Sequence, residues 1–236
     1  MQTRSLRNSY SNIAIMSKPI TLYGHATGPN PWKVAILLEE LKIPYDQKLM
    51  DMGDMKKPPF EKINVNGRVP AIEDPNTNIT LWESGAIIEY LQETYDKSNT
   101  LNYTSSPEKY LVKQWLHFQM SGQGPYFGQA AWFWKFHSEQ VESAKTRYKD
   151  QIARVFEVID KHLKATGQEW LVGNKCTIAD LSFVTWDMMV PFILGDEAKS
   201  LDIENKYPNY YAWNQKLMQR PSVQKIIKDK QAAMAG

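Results

Sequence analysis

Three short stretches carry residue types that could do chemistry. In the first, Trp82-Glu83-Ser84-Gly85 stands where a β-type run gives way to a helical one. A serine hydroxyl beside the unpaired N–H groups of a helix start suits an anion. Glu83 and Ser84 could equally do no more than cap that helix. In the second, Gly28-Pro29-Asn30-Pro31, Asn30 reads as a helix cap with Pro31 at the first helical position. The third is Cys176, the chain's one cysteine, directly ahead of Thr177-Ile178-Ala179-Asp180. That spacing, a hydroxyl three residues before an acid, is a capping box, and the residue before it is where a hydrophobic staple belongs. Cys176 therefore reads as structural, and a lone cysteine excludes a disulfide within the chain. The four histidines, His25, His117, His137 and His162, form no pair at metal-ligand spacing, so no metal is expected.

These stretches need elements to position them. Ile20 to Tyr23 is β-branched and aromatic and stops at Gly24, as a strand does. Val34, Leu37, Leu38 and Leu41 then recur on one helical face, and Tyr45 to Met50 reads as a second strand. Strand, helix and strand in that order allow parallel pairing. Val69 to Ile72 begins a third strand, Asp74-Pro75-Asn76 turns it, and Ile79 to Trp82 completes a hairpin. A helix from Glu83 to Tyr95 follows. Residues 97–106 are polar and turn-rich, a linker, and beyond them the pattern predicts helices near 107–138, 140–165, 177–190, 207–219 and 222–232. The domain reading is an arm at 1–17, a mixed domain at 18–97 and an all-helical domain at 107–236.

Composition narrows the function classes. The chain balances 28 basic against 26 acidic residues, for a net charge of +2. Nothing there favours nucleic acid or an anionic membrane surface. The longest uncharged stretch, 114–134, is long enough to cross a bilayer, but its glutamines, glycines, histidine and proline make insertion costly. Met1 to Met16 carries Arg4 and Arg7 and no acid. It reads as a mitochondrial targeting segment, a loose arm, or the result of an upstream start with Met16 as the true one. Cytoplasmic localisation is the expectation.

Arg68-Val69-Pro70 followed by Trp82-Glu83-Ser84-Gly85-Ala86-Ile87 resembles the glutathione-binding core of the cytosolic glutathione transferases. Gly173 to Asp180 is similar to the capping-box segment of their helical domain. Gly28-Pro29-Asn30, with Gly124-Pro125 and Gly128-Gln129 in the long helix, resembles the fungal and bacterial class related to the yeast nitrogen-regulating prion protein. The resemblance spans about residues 18–232. It implies a thioredoxin-like N-terminal domain, an all-helical C-terminal domain, a homodimer, and glutathione as co-substrate.

It also implies roles. Ser84 would hold the γ-glutamyl carboxylate and Glu83 the adjacent ammonium. The Val69–Pro70 bond would be cis, turning the Val69 backbone toward the cysteinyl unit. Lys56, four residues before Phe60, or its neighbour Lys57, would meet the glycyl carboxylate. Asn30 would be catalytic, its amide donating to the thiolate without ionising, unless it only caps the helix. Tyr23 and Thr27 are the fallback donors. The pocket for a hydrophobic electrophile would draw on Tyr23, Tyr126, Gln129 and Trp132, although the aromatic run Trp132 to Trp134 could instead be core or dimer contact. The expected activity is conjugation of glutathione to an electrophile. The alternatives are glutathione-dependent disulfide reduction without a protein thiol, and a non-enzymatic regulatory module. The chain shows no long Asn-rich arm like the family regulator's, which leaves an enzyme as the simpler expectation.

Overall fold

The computed structural model describes residues 18–235. The targeting and start-site readings of Met1 to Met16 lie outside the described residues. Four strands form one sheet in the order β2-β1-β3-β4. β1 (Ile20–Gly24) runs parallel to β2 (Tyr45–Leu49) and antiparallel to β3 (Ala71–Asp74), which forms a hairpin with β4 (Ile79–Trp82). Alternation along β1 separates two cores. Ile20 and Leu22 pack with Ile72 against α1 (Pro29–Glu40) and α2 (Ser84–Tyr95), whereas Tyr23 and Ala71 face Met55 and Phe60 on the opposite side. Asp74 pins the hairpin, accepting from Asn76 N–H at 2.8 Å and from the hydroxyls of Tyr90, at 2.6 Å, and Tyr95.

Helix α1 corrects one expectation. It begins at Pro29, and its N-cap is Gly28, which makes no side-chain bond. Asn30 is thus inside the first turn and is not the cap. Pro fits these first positions because their N–H groups have no intrahelical partner. From Pro31 to Leu38 every residue is buried, including Lys33. The helix packs against the sheet, α2 and two helices of the second domain.

The helical domain starts with α3 (Glu108–Phe118), a π turn (Gln119–Gln123), α4 (Gly124–Ala131) and a second π turn (Trp132–Phe136). Pro125 has no N–H for the carbonyl four residues back, and the first π turn accommodates that break. α5 (Glu142–Thr166) ends on Gly167 at φ 65°, the left-handed stop that glycine adopts without penalty. α6 (Ile178–Asp187) opens with the capping box foreseen at Thr177 and Asp180. The Asp180 carboxylate is fully buried and also accepts from Leu171 N–H and Trp213 Nε1–H, both at 2.9 Å.

The sequence pattern predicts a helix to 190 and no element over 191–206. The helix stops at Asp187, and α7 (Val190–Leu194), a 3₁₀ segment (Gly195–Leu201) and α8 (Ile203–Lys206) follow. Pro191 enforces the break, and elements this short show too few turns for periodicity to register. α9 (Pro208–Met218) and α10 (Pro221–Ala235) complete the chain. The helical stretch Ile178–Leu201 is apolar enough to cross a membrane by composition, but 67% of its most apolar window is buried inside the fold. Across the domains, Arg220 donates two bonds of 2.7 Å to the Glu40 carboxylate at the end of α1.

Candidate functional site

The N-terminus of α1, the loop leading into β3, the β4–α2 junction and the first π turn with α4 converge on a cleft of about 580 Å³. At its floor lies Ser84, the first residue of α2 and only 4% exposed. Its N–H and the next two lack intrahelical partners and point outward, an anion site built from backbone. Glu83 precedes it at φ 75°, a conformation a non-glycine residue rarely adopts, and lines the cleft beside it. Gly85 packs closely on Met120, whose side chain would have to shift slightly for a Cβ placed 3.2 Å away.

The loop before β3 supplies the facing wall. Asn64 is buried and donates to Arg68 C=O at 2.6 Å, while its oxygen accepts from Asn66 N–H at 2.9 Å. That scaffold holds Arg68 and Val69 at the cleft, and the Val69–Pro70 bond is cis.

Asn30 lines the same cleft from the first turn of α1. Its Oδ1 accepts from Trp186 Nε1–H at 2.9 Å. An indole nitrogen can only donate, so this contact fixes which end of the amide faces Trp186. The NH₂ end is left to point elsewhere, beside the positive end of the α1 dipole. Gln129 and Trp132 form the outer wall with Pro125 and Gly128.

Beneath Ser84 sits Lys33, 2% exposed. Its Nζ donates to Ser84 Oγ at 3.1 Å and to Gln119 Oε1 at 2.8 Å. Burial drives the Lys33 pKa down to about 7, opposed by the charge of Glu83. Among the described residues, no group of three or more His, Cys, Asp or Glu could hold a metal. A larger hollow of about 1080 Å³ lies at the outer edge of β2, but Glu39, Tyr45, Lys225 and Asp229 there are paired with one another.

Models of the glutathione S-transferase N-terminal and C-terminal domains match residues 18–93 and 124–221. The chain belongs to the glutathione S-transferase family. Its relatives are Ure2-like and GST-like fungal proteins. The glutathione S-transferase-like protein OpS6 of Beauveria bassiana is 45% identical over 216 residues, covering 91% of this chain and 97% of that one. Two Phanerochaete chrysosporium transferases share the fold. URE2P6, in complex with oxidized glutathione, has a TM-score of 0.85 at 42% identity, over 92% of this chain and 98% of that one. Ure2p5, cocrystallized with 1-(S-glutathionyl)-2,4-dinitrobenzene, has 0.84 at 38%, over 92% and 97%. Such neighbours bind glutathione, and the fold is the transferase fold, a thioredoxin-like domain followed by eight described helices.

Within this family frame, the cleft unites Asn30, Val69, Pro70, Glu83, Ser84, Gln129 and Trp132. Several anticipated residues stand apart, the fallback donor Thr27 among them. Tyr23 is on the far face of the sheet and donates to Glu73 Oε2 at 2.6 Å, and burial with that bond pushes its phenol up to about 12. It is neither a fallback donor nor a pocket wall. Tyr126 is half-buried on another face of α4, outside the cleft lining. Lys56 is exposed and not among the lining residues, and Lys57 pairs with Asp54 at 3.1 Å. The exposed cation at the cleft is Arg68, whose motif was visible in the sequence although its side chain was assigned no role. Lys33 was also missed, and its signal was a charge inside the wholly apolar run from Trp32 to Leu38. Gln119 and Trp186 offered no local signal, because they reach the cleft only through domain packing. Cys176 is buried away from the cleft, and burial pushes its thiol up, the opposite of an activated thiolate.

Proposed function

We propose that the chain is an enzyme that conjugates the thiol of glutathione to an electrophilic small molecule. The observation that carries this reading is the Asn30 amide, oriented by Trp186 and set over a cleft whose charges complement the tripeptide. Glutathione has two carboxylates and one ammonium. The cleft offers the Ser84 helix start and Arg68 for the former and Glu83 for the latter. The Val69 backbone beside the cis bond would pair with the cysteinyl unit. The Asn30 NH₂ would then donate to the sulfur. The thiolate attacks the electrophilic carbon, a C–S bond forms as the leaving group departs with its electron pair, and the thiol proton passes to solvent. The acceptor would rest against Gln129 and Trp132.

Thiolate stabilisation supplies only part of the rate. A free thiol of pKa about 8.5 is ~3% ionised at pH 7, and lowering it by about two units gives ~75%. With a Brønsted slope of ~0.4–0.5, the less basic thiolate loses about eightfold in nucleophilicity. Positioning the acceptor against the helical wall must therefore contribute most of the acceleration. Ure2p5 is known with a dinitrophenyl conjugate of glutathione, which is the product of such a reaction.

The second reading, disulfide reduction by two glutathiones, draws on the complex of URE2P6 with oxidized glutathione. Both readings use one site and take the family's homodimer as the working form. The test is a side-by-side assay of the purified protein with glutathione and either a chloronitroaromatic acceptor or hydroxyethyl disulfide. Conjugation without reduction is the expected result. The reverse selectivity would favour the second reading, and tight glutathione binding without turnover would leave a binding module.

A further inference from the structure

The ammonium of Lys33 is buried, lines the cleft and ends a chain of side-chain hydrogen bonds that crosses the domain boundary. Nζ donates to Ser84 Oγ at 3.1 Å and to Gln119 Oε1 at 2.8 Å. Gln119 Nε2 donates to Gln123 Oε1 at 2.7 Å, and Gln123 Nε2 donates to Asp187 Oδ1 at 2.7 Å. The other carboxylate oxygen of Asp187 accepts from Asn214 Nδ2 at 3.0 Å. The glutamines are both wholly buried and both belong to the π turn, so two amides link the buried lysine to Asp187 at the end of α6, whose carboxyl burial pushes up to about 7. With Lys33 as the ammonium each amide in the chain has one orientation only, because an ammonium cannot accept.

The consequence falls on Ser84. Lys33 occupies one lone pair of its oxygen, while the hydroxyl hydrogen is engaged only by Met120 Sδ, a weak acceptor at 3.7 Å, and is free to turn toward a ligand in the cleft. We propose that Lys33 is a positioning residue for the γ-glutamyl subsite, fixing Ser84 as a donor toward the substrate's α-carboxylate and supplying the positive charge behind it. This rests on the glutathione reading above. The charged groups around Lys33 are Glu83 at the start of α2 and, through the two amides, Asp187 of α6. From α10, Lys225 and Asp229 are engaged with Glu39 at the far end of α1. Burial puts Lys33 near neutrality in the free protein, to about 7, and a bound carboxylate would raise it. Binding then takes up a proton, so affinity is highest below that pH and falls as pH rises through it.

The test compares S-methylglutathione, which has no titrating thiol, with γ-aminobutyryl-S-methylcysteinylglycine, which lacks only the α-carboxylate. Calorimetry on wild-type protein and on Lys33→Met gives the four affinities. The expected result is that Lys33→Met weakens S-methylglutathione binding roughly tenfold or more while the decarboxylated peptide changes less than about twofold. A loss shared equally by both peptides would mean a structural role and overturn the proposal. If Lys33→Met does not fold, proton uptake by the wild-type protein decides: calorimetry near pH 7 in buffers of different ionisation enthalpy should show a substantial fraction of a proton taken up with S-methylglutathione and much less with the decarboxylated peptide. Equal uptake with both peptides overturns the proposal. Wild-type protein that binds neither peptide removes the glutathione reading itself. Wild-type binding with unaltered discrimination in a folded Lys33→Met protein removes only the role of Lys33.

Discussion

Asn30→Asp separates a group that donates from one that merely fits. The carboxylate keeps an acceptor for Trp186 Nε1–H, now charge-assisted, in place of the 2.9 Å bond of the amide. It also places an anion in the first turn of α1, worth about 0.3–1 kcal/mol. Stability should therefore hold or rise slightly. By contrast, Asn30→Ala leaves the buried Trp186 N–H without its partner and should cost about 1–3 kcal/mol of stability. What Asp cannot do is donate. Removing a preorganised donor costs tenfold or more in turnover, at least ~1.4 kcal/mol. Two like charges about 4 Å apart add between about 1 kcal/mol in a water-like setting and about 4 kcal/mol at an effective dielectric near 20. The sum is at least about 2.4 kcal/mol, or a roughly sixtyfold loss of turnover to be read in a chlorodinitrobenzene assay. The pKa of bound glutathione, followed by thiolate absorbance, should rise by more than about one unit. A stable Asn30→Asp protein with wild-type turnover and an unmoved thiol pKa would refute the donor role.

Ser84→Ala should weaken glutathione binding by ~1–3 kcal/mol in calorimetry, the worth of a bond to a charged group, and an unchanged dissociation constant would remove the γ-glutamyl assignment. Cys176→Ser should leave both conjugation and disulfide reduction within about twofold, and loss of turnover in a folded variant would restore a protein-thiol mechanism. Tyr23→Phe should cost about 1 kcal/mol in thermal unfolding for the lost bond to Glu73, with turnover unaffected. Slower turnover at unchanged fold would return Tyr23 to the site.

The parts of the molecule legible from sequence were those governed by local rules. The hairpin turn at Asp74, the capping box at Thr177 and Asp180, and the helix start at Ser84 each state their geometry within a few residues. The cis bond before Pro70 came from the family motif. What failed were questions of direction. Tyr23 is one residue from Leu22, and strand alternation sends the two to opposite faces, a parity the isolated run could not assign to a side. Asn30 lies two positions past the cap, Gly28, and two prolines in one turn made both registers plausible. Tyr126 and Gln129 lie on one helix, and which of them faced the cleft depended on how α4 docks against the first domain. Lys33 was a different kind of miss. A lysine inside an apolar run costs free energy to bury, and its partners, Ser84 and Gln119, are 51 and 86 residues away.

Helix α1 belongs structurally to both halves of the molecule. Its apolar sides are covered by the sheet and α2 on one hand and by α6 and α10 on the other, and Glu40, Lys33 and Asn30 tie it across at three heights. Severing the chain in the 97–106 connection would strip water-excluding cover from a helix that is buried all round. Neither fragment would retain a complete interior. The two segments that family models treat as separate modules share one helix as core in this chain, and they are expected to unfold together. A damaging change anywhere along the α1–α6 seam is then felt as loss of the whole protein, and not as loss of a detachable half.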